Sequence, residues 1–221
     1  ACGTLSVLLD DLDIPSENTV KIEGILQIGV KMLLSSLLND AQSSAIIFGT
    51  PTMINAKTFQ NELFKNGVEE IRIISQGCPD LATQISNDPD NSFVEERIRH
   101  WVQKAMLKLP EKYIDTLLIF LACTHYGYRH DLFQKAFNEE GFFNMTLLNP
   151  NLAAAEYLAK TVSNNLNPSS TESKAFSVEF VTPYAIPEQE IITLTQLLSP
   201  ISPATADALN NARVCPELLN P

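Results

Sequence analysis

The sequence is poor in positive charge and has no long apolar run. Lysine and arginine total 15 against 26 aspartates and glutamates, which gives a formal net charge of −11. A field of that sign repels phosphate, so nucleic acid and anionic membrane surfaces are poor partners. No uninterrupted apolar stretch reaches the roughly 18 residues that a membrane-crossing helix needs. The strongest run, Thr116 to Cys123 (TLLIFLAC), has the length of a buried strand instead. The opening residues show no basic segment or cleavage pattern of a secretory signal, and the expected location is cytoplasmic. Cysteine is sparse as well: four residues, at 2, 78, 123 and 215, with no Cys-x-x-Cys pair. That pattern argues against a disulfide framework. The three histidines, at 100, 125 and 130, have no zinc-ligand spacing with those cysteines.

What remains is globular. Hydrophobic residues make up 45% and charged residues 19% of 221 positions, enough for a real core. Leu5 to Leu12 is a short amphipathic stretch, and Val20 to Leu26 reads as a strand. Val30 to Leu38 reads as a helix ended by Asn39-Asp40. Ala45 to Gly49 is a buried strand, Ala56 to Lys65 a helix and Glu70 to Ser75 an alternating strand. Ser92 to Lys108 reads as a long helix with Trp101 in the core. Leu117 to Ala122 is the strongest strand, Leu132 to Asn138 a helix, Phe143 to Leu147 a strand and Leu152 to Val162 a helix. A polar loop, Asn164 to Ser173, precedes a last strand, Phe176 to Thr182, and a helical tail. Strands alternating with helices predict an α/β fold with a mainly parallel sheet flanked by helices.

In such sheets ligands bind beyond the carboxyl ends of the strands. Cys123 stands at one such end, followed by Thr124, His125 and Tyr126. The thiolate is the reactive form of cysteine, and a neighbouring imidazolium favours it. A buried structural cysteine beside a loop histidine has the same spacing, so the residues alone leave both readings open. Cys2, near the start of the chain, stands in a faintly similar setting, Ala1-Cys2-Gly3-Thr4.

Ala122-Cys123-Thr124-His125-Tyr126 resembles the Gly-Cys-Thr-His-Tyr signature of the glutamate racemases, in the aspartate/glutamate racemase superfamily. Asp115-Thr116-Leu117-Leu118 is similar to the Asp-Thr-Leu-Val that precedes it there. Ala1-Cys2-Gly3-Thr4 resembles the family's Ala-Cys-Asn-Thr. Phe48-Gly49-Thr50-Pro51-Thr52-Met53 resembles its Gly-Thr-x-x-Thr segment, and Gly77-Cys78-Pro79 its Ala-Cys-Pro turn. The motifs also keep the family's order. The resemblance implies racemisation without metal, pyridoxal phosphate or other cofactor. Cys2 and Cys123 would be the catalytic pair and His125 the assistant of Cys123. Gly3, Thr4, Thr52 and Thr124 would line a small amino-acid substrate. For Thr52, a plain turn or helix-cap role weighs about equally. Cys78 is expected to be structural, Cys215 a bystander, and His100 and His130 surface residues.

The resemblance further implies two similar α/β domains with the active site in the cleft between them. Residues 1–25 would be a remnant of the first domain, 26–151 a complete second domain, and 152–221 a return to the first. A homodimer is compatible with it. The chain departs from the family pattern at Gly3 (for Asn), Ser86 (for an acidic residue) and Gly127 (for Pro). The family's opening Asp-Ser-Gly segment has no counterpart, and the piece as written is expected to be inactive. His125 favours glutamate, since relatives acting on aspartate carry Glu there. An aspartate or hydantoin racemase, a non-catalytic binding relative and a plain structural α/β domain are the alternatives.

Overall fold

The structure is a computed structural model that describes residue 6 and residues 24–110, 116–165 and 177–219. Gly24 is extended, and helix α1 begins directly after it at Ile25–Asn39. The strand expected over Val20 to Leu26 is therefore wrong at its end, where residues 25 and 26 are helical; the earlier part lies outside the described residues. Ile25 and Leu26 continue the helical stripe of Val30, Leu33 and Leu37. The Ile25 N–H, an orphan donor of the first turn, donates to Ser6 Oγ at 3.0 Å. At the other end, buried Arg72 donates from Nη2 to the Leu37 and Asp40 carbonyls at 2.8 and 2.7 Å, and from Nε to Ser43 O at 2.7 Å. Carbonyls at the negative end of the helix dipole thus hold the buried cation.

Strand β1 (Ser43–Gly49) is buried along its whole length. It leads through helix α2 (Pro51–Ala56) and helix α3 (Thr58–Lys65) to strand β2 (Ile73–Gly77). The single helix expected over Ala56 to Lys65 is split at Lys57, whose φ of 55° is left-handed. The strand expected from Glu70 begins with a short helical turn, Glu70–Arg72, because Arg72 turns inward to cap α1. Helix α4 (Leu81–Asn87) and helix α5 (Ser92–Met106) then lead, beyond undescribed residues, to strand β3 (Thr116–Leu121). A 3-10 helix (Thr124–Arg129), helix α6 (His130–Glu139), strand β4 (Met145–Leu148) and helix α7 (Pro150–Asn165) follow. Trp101 is partly buried against the core, and His100 is half-buried beside it with ring centroids 4.7 Å apart, so His100 is not the surface residue expected.

The four strands are all parallel in the order β2-β1-β3-β4. Alternate residues of β1 and β3 serve opposite faces. Ile46, Phe48, Leu117, Ile119 and Leu121 pack on α4, α5 and α6. Ala45, Ile47, Leu118 and Phe120 pack on α1, Met53 and α3. This is an α/β fold with helices on both faces of a parallel sheet. The chain winds from β1 outward to β2, then crosses back to β3 on the other side of β1. That reversal makes the carboxyl ends of β1 and β3 the topological switch point, where such sheets open a crevice.

The C-terminal segment makes a second, two-stranded parallel sheet from β5 (Val181–Thr182) and β6 (Arg213–Val214). It is joined by helix α8 (Glu188–Leu198) and helix α9 (Pro203–Asn210), which pack on each other. The strand expected from Phe176 is only these two residues long where described. Thr193 Oγ1 donates to Asn87 O at 2.7 Å, which docks α8 on the end of α4. Among the described residues, no helix is long and apolar enough to cross a membrane.

Candidate active site

The crevice is built by backbone first. Beyond the strands, Ala122 N–H donates to Phe48 O at 2.9 Å and Cys78 N–H to Gly49 O at 2.9 Å. The segments after β1, β2 and β3 are thereby held side by side. Cys123 follows as the capping residue of the 3-10 helix, 7% exposed at the top of the core. Its Sγ lies 3.8 Å from His125 Nδ1, close enough for a thiol to donate to the ring or for a protonated ring to donate to a thiolate.

Tyr126 anchors that short helix. Its ring is fully buried against Phe133, and its hydroxyl donates to the Cys78 carbonyl at 3.3 Å. Burial pushes the Tyr126 phenol and the Cys78 thiol well above their ordinary values, so both stay protonated. Cys78 is thus a buried, inert thiol whose Sγ faces Gln76 O at 3.7 Å. On the far side Asn151 Nδ2 donates to Thr124 O at 2.9 Å. Gly127 admits Asn149 and Asn151 at close range: a Cβ there would come within 2.7 Å of Asn149 Nδ2. The glycine that departs from the family's proline is therefore the place where the β4–α7 turn locks onto the 3-10 helix.

Thr124 and His125 are half-buried. Thr52 is exposed on the first turn of α2, whose capping hydroxyl belongs to Thr50. Thr52 and Cys123 thus emerge from β1 and β3, the two strands that flank the switch point. Ser86 is 7% exposed inside α4, so its hydroxyl is turned into the protein. Cys2, Gly3 and Thr4 lie outside the described residues.

Burial holds His125 below the ordinary histidine pKa, with the Glu190 carboxylate opposing that shift. Unfolded, the ring protonates near about pH 6.5. Folded, it protonates only at lower pH, so within that window the unfolded chain binds more protons and stability is lost as the pH is lowered. This contribution is fully present above the unfolded value. His125→Asn should therefore flatten the loss of urea stability between about pH 7 and pH 5. Equal losses in variant and parent would place the effect elsewhere.

No protein-family model matches the chain. In sequence it is 26% identical over 108 residues to a glutamate racemase of Aliarcobacter butzleri, covering 48% of this chain and 39% of that protein. It is 31% identical over 93 residues to a glutamate racemase of Roseobacter denitrificans, covering 42% of this chain and 32% of that one. The structure superposes on glutamate racemase from Francisella tularensis, solved in complex with D-glutamate, with a TM-score of 0.63 and 19% identity over 90% of this chain and 67% of that one. The chain resembles glutamate racemases and has their fold. It spans only 39% and 32% of the two matched sequence relatives. The glutamate racemase fold accounts for the parallel sheet flanked by helices. One polar group beside the loop after β3, Asn151, was not singled out from the sequence. It follows a helix-starting proline and reads as a turn.

Proposed function

We propose that the whole protein racemises glutamate by proton transfer at the α-carbon, with Cys123 as one of two facing thiols. The observation that carries this reading is the Cys123–His125 contact of 3.8 Å at the carboxyl end of β3, on a glutamate racemase fold. One thiolate removes the α-proton from one face, leaving a carbanion conjugated with the substrate carboxylate. The opposite thiol then delivers its own proton to the other face and becomes the thiolate. The roles exchange with the handedness of the substrate, so no net acid or base is consumed.

Cys2 is the proposed second thiol, and His125 assists Cys123 by hydrogen bonding to its sulfur. Gly3, Thr4, Thr52 and Thr124 are the proposed substrate contacts. Residues 26–151 form the proposed second domain, with 1–25 and 152–221 belonging to the first. The product, D-glutamate, suits peptidoglycan synthesis in the cytoplasm. Incubating the whole protein in D2O with L-glutamate and, separately, L-aspartate should exchange the α-proton of glutamate alone. Exchange of aspartate without glutamate would overturn the substrate assignment.

A further inference from the structure

The side chain of Asn151 does nothing for its own helix. Asn149 stands just before α7, and its Oδ1 accepts from the Asn151 N–H at 3.1 Å, as a helix-capping residue does. Pro150 fills the first helical position, where a missing N–H costs nothing. Neither device uses the Asn151 amide. A first helical turn leaves N–H donors without partners, so a side chain serving that turn would accept. Asn151 donates instead: its Nδ2 lies 2.9 Å from the Thr124 carbonyl, 27 positions earlier. A carbonyl oxygen only accepts, so the amide must present its nitrogen to Thr124. That orientation leaves Asn151 Oδ1 buried and without a hydrogen-bond partner among the described residues. A buried, unpaired oxygen is costly, so packing of the turn does not by itself favour an amide here.

The two segments meet because β3 and β4 run parallel, with Phe120 beside Leu148, so the chain leaves both carboxyl ends side by side. They come close because residue 127 has no side chain. A Cβ on Gly127 would lie 2.7 Å from Asn149 Nδ2 and 3.1 Å from Asn151 Nδ2. Gly127 does not have a left-handed φ, so close approach and not backbone conformation calls for the glycine. The 3-10 helix after Cys123 is thus held from two sides. Tyr126 ties it to the turn after β2 through the Cys78 carbonyl, and Asn151 ties it to the turn after β4.

We propose that Asn151 is a positioning residue that fixes the Thr124 carbonyl and so aims the Thr124 hydroxyl, acting through Thr124 and not on substrate. The carbonyl and the side chain of Thr124 leave one α-carbon, so holding the first limits where the second can point. The purpose of this grip rests on the racemase reading, whereas the grip itself rests on the hydrogen bond.

The test is a kinetic double-mutant cycle on the whole protein with L-glutamate. Thr124→Val and Asn151→Ala should each raise KM about tenfold, the worth of one hydrogen bond to a charged group, and change kcat by less than about threefold. The two together should raise KM by about the same tenfold, because both remove one contact. Gly127→Ala, which pushes both asparagine amides aside, should match Asn151→Ala. A role in folding alone would leave KM unchanged, lower kcat instead, or give single effects that multiply to about a hundredfold; any of these overturns the proposal. If Asn151→Ala does not fold, Asn151→Asp keeps the shape, suits a helix N-terminus and removes the donor, and it should show the same KM and the same coupling. A parent that exchanges no glutamate sinks the racemase reading and leaves the grip to be read by amide hydrogen exchange. Asn151→Ala should then speed exchange across residues 124–127 by about tenfold or more and leave β1 and β3 protected. Equal exchange in parent and variant overturns the grip as well.

Discussion

Replacing Cys123 with alanine should lower glutamate α-proton exchange by about 10²–10⁴-fold, the usual contribution of a positioned proton-transfer group. Cys123 follows the buried strand β3 by two residues and is itself 7% exposed, so the thiol is held in one place by β3 and the Tyr126 anchor. Alanine keeps the backbone and removes only the sulfur, which leaves the proposed threonine contacts to substrate intact. Binding of D-glutamate, read by calorimetry, should therefore survive in the variant. Cys123→Ser should be nearly as inactive, because a serine hydroxyl is a far weaker acid than a thiol and offers almost no anion at neutral pH. Exchange by Cys123→Ala at the parent's rate would remove the two-thiol mechanism altogether. Loss of exchange together with loss of far-UV circular dichroism would instead point to a fold effect.

The second large effect is on stability. Phe48 is fully buried in β1 and meets Phe133 and Phe137 of α6 edge-on, at centroid distances of 5.1 and 6.1 Å. Phe48→Ala should cost about 3–5 kcal/mol, the usual loss for a large aromatic truncated in a packed core. Edge-to-face pairing adds to the area term, so the upper half of that range is expected. Urea denaturation should show an earlier midpoint with an unchanged slope. Phe48→Leu keeps most of the volume and should lose clearly less. The effect reaches the site because Phe133 also packs on Tyr126, which anchors the segment carrying Cys123 and His125. A loss below about 1 kcal/mol for the alanine variant would mean that the core collapses around the gap.

Particular residues show how much was readable beforehand. The apolar runs of β1 and β3 announced themselves because a strand buried on both faces has no polar alternation to blur it. The α1 stripe was legible from Val30 onward by its helical period, whereas its first turn at Ile25 and Leu26 was read as strand. Lys57 was not, because nothing in a lysine signals a left-handed φ of 55°. The inward turn of Arg72 was equally silent, since its partners are the carbonyls of residues 37, 40 and 43 and the Ser43 hydroxyl, with no acidic side chain to mark them. Helix α4 is seven residues long and lacked enough turns to show a period.

Chemistry divides along the same line. The types and order of Cys123, Thr124, His125 and Tyr126, the acidic balance and the alternation of strands and helices are properties of the linear chain, and each could be read from it. That β1 and β3 are neighbours with the winding reversed between them is a property of the folded sheet. So is the meeting of Glu190 and Tyr128, 62 positions earlier in the chain, in the lining of one crevice. Local pattern encodes what a residue is and what its own helix or strand does with it. Which distant charge it meets depends on packing between surfaces, and that is settled only when the layers close.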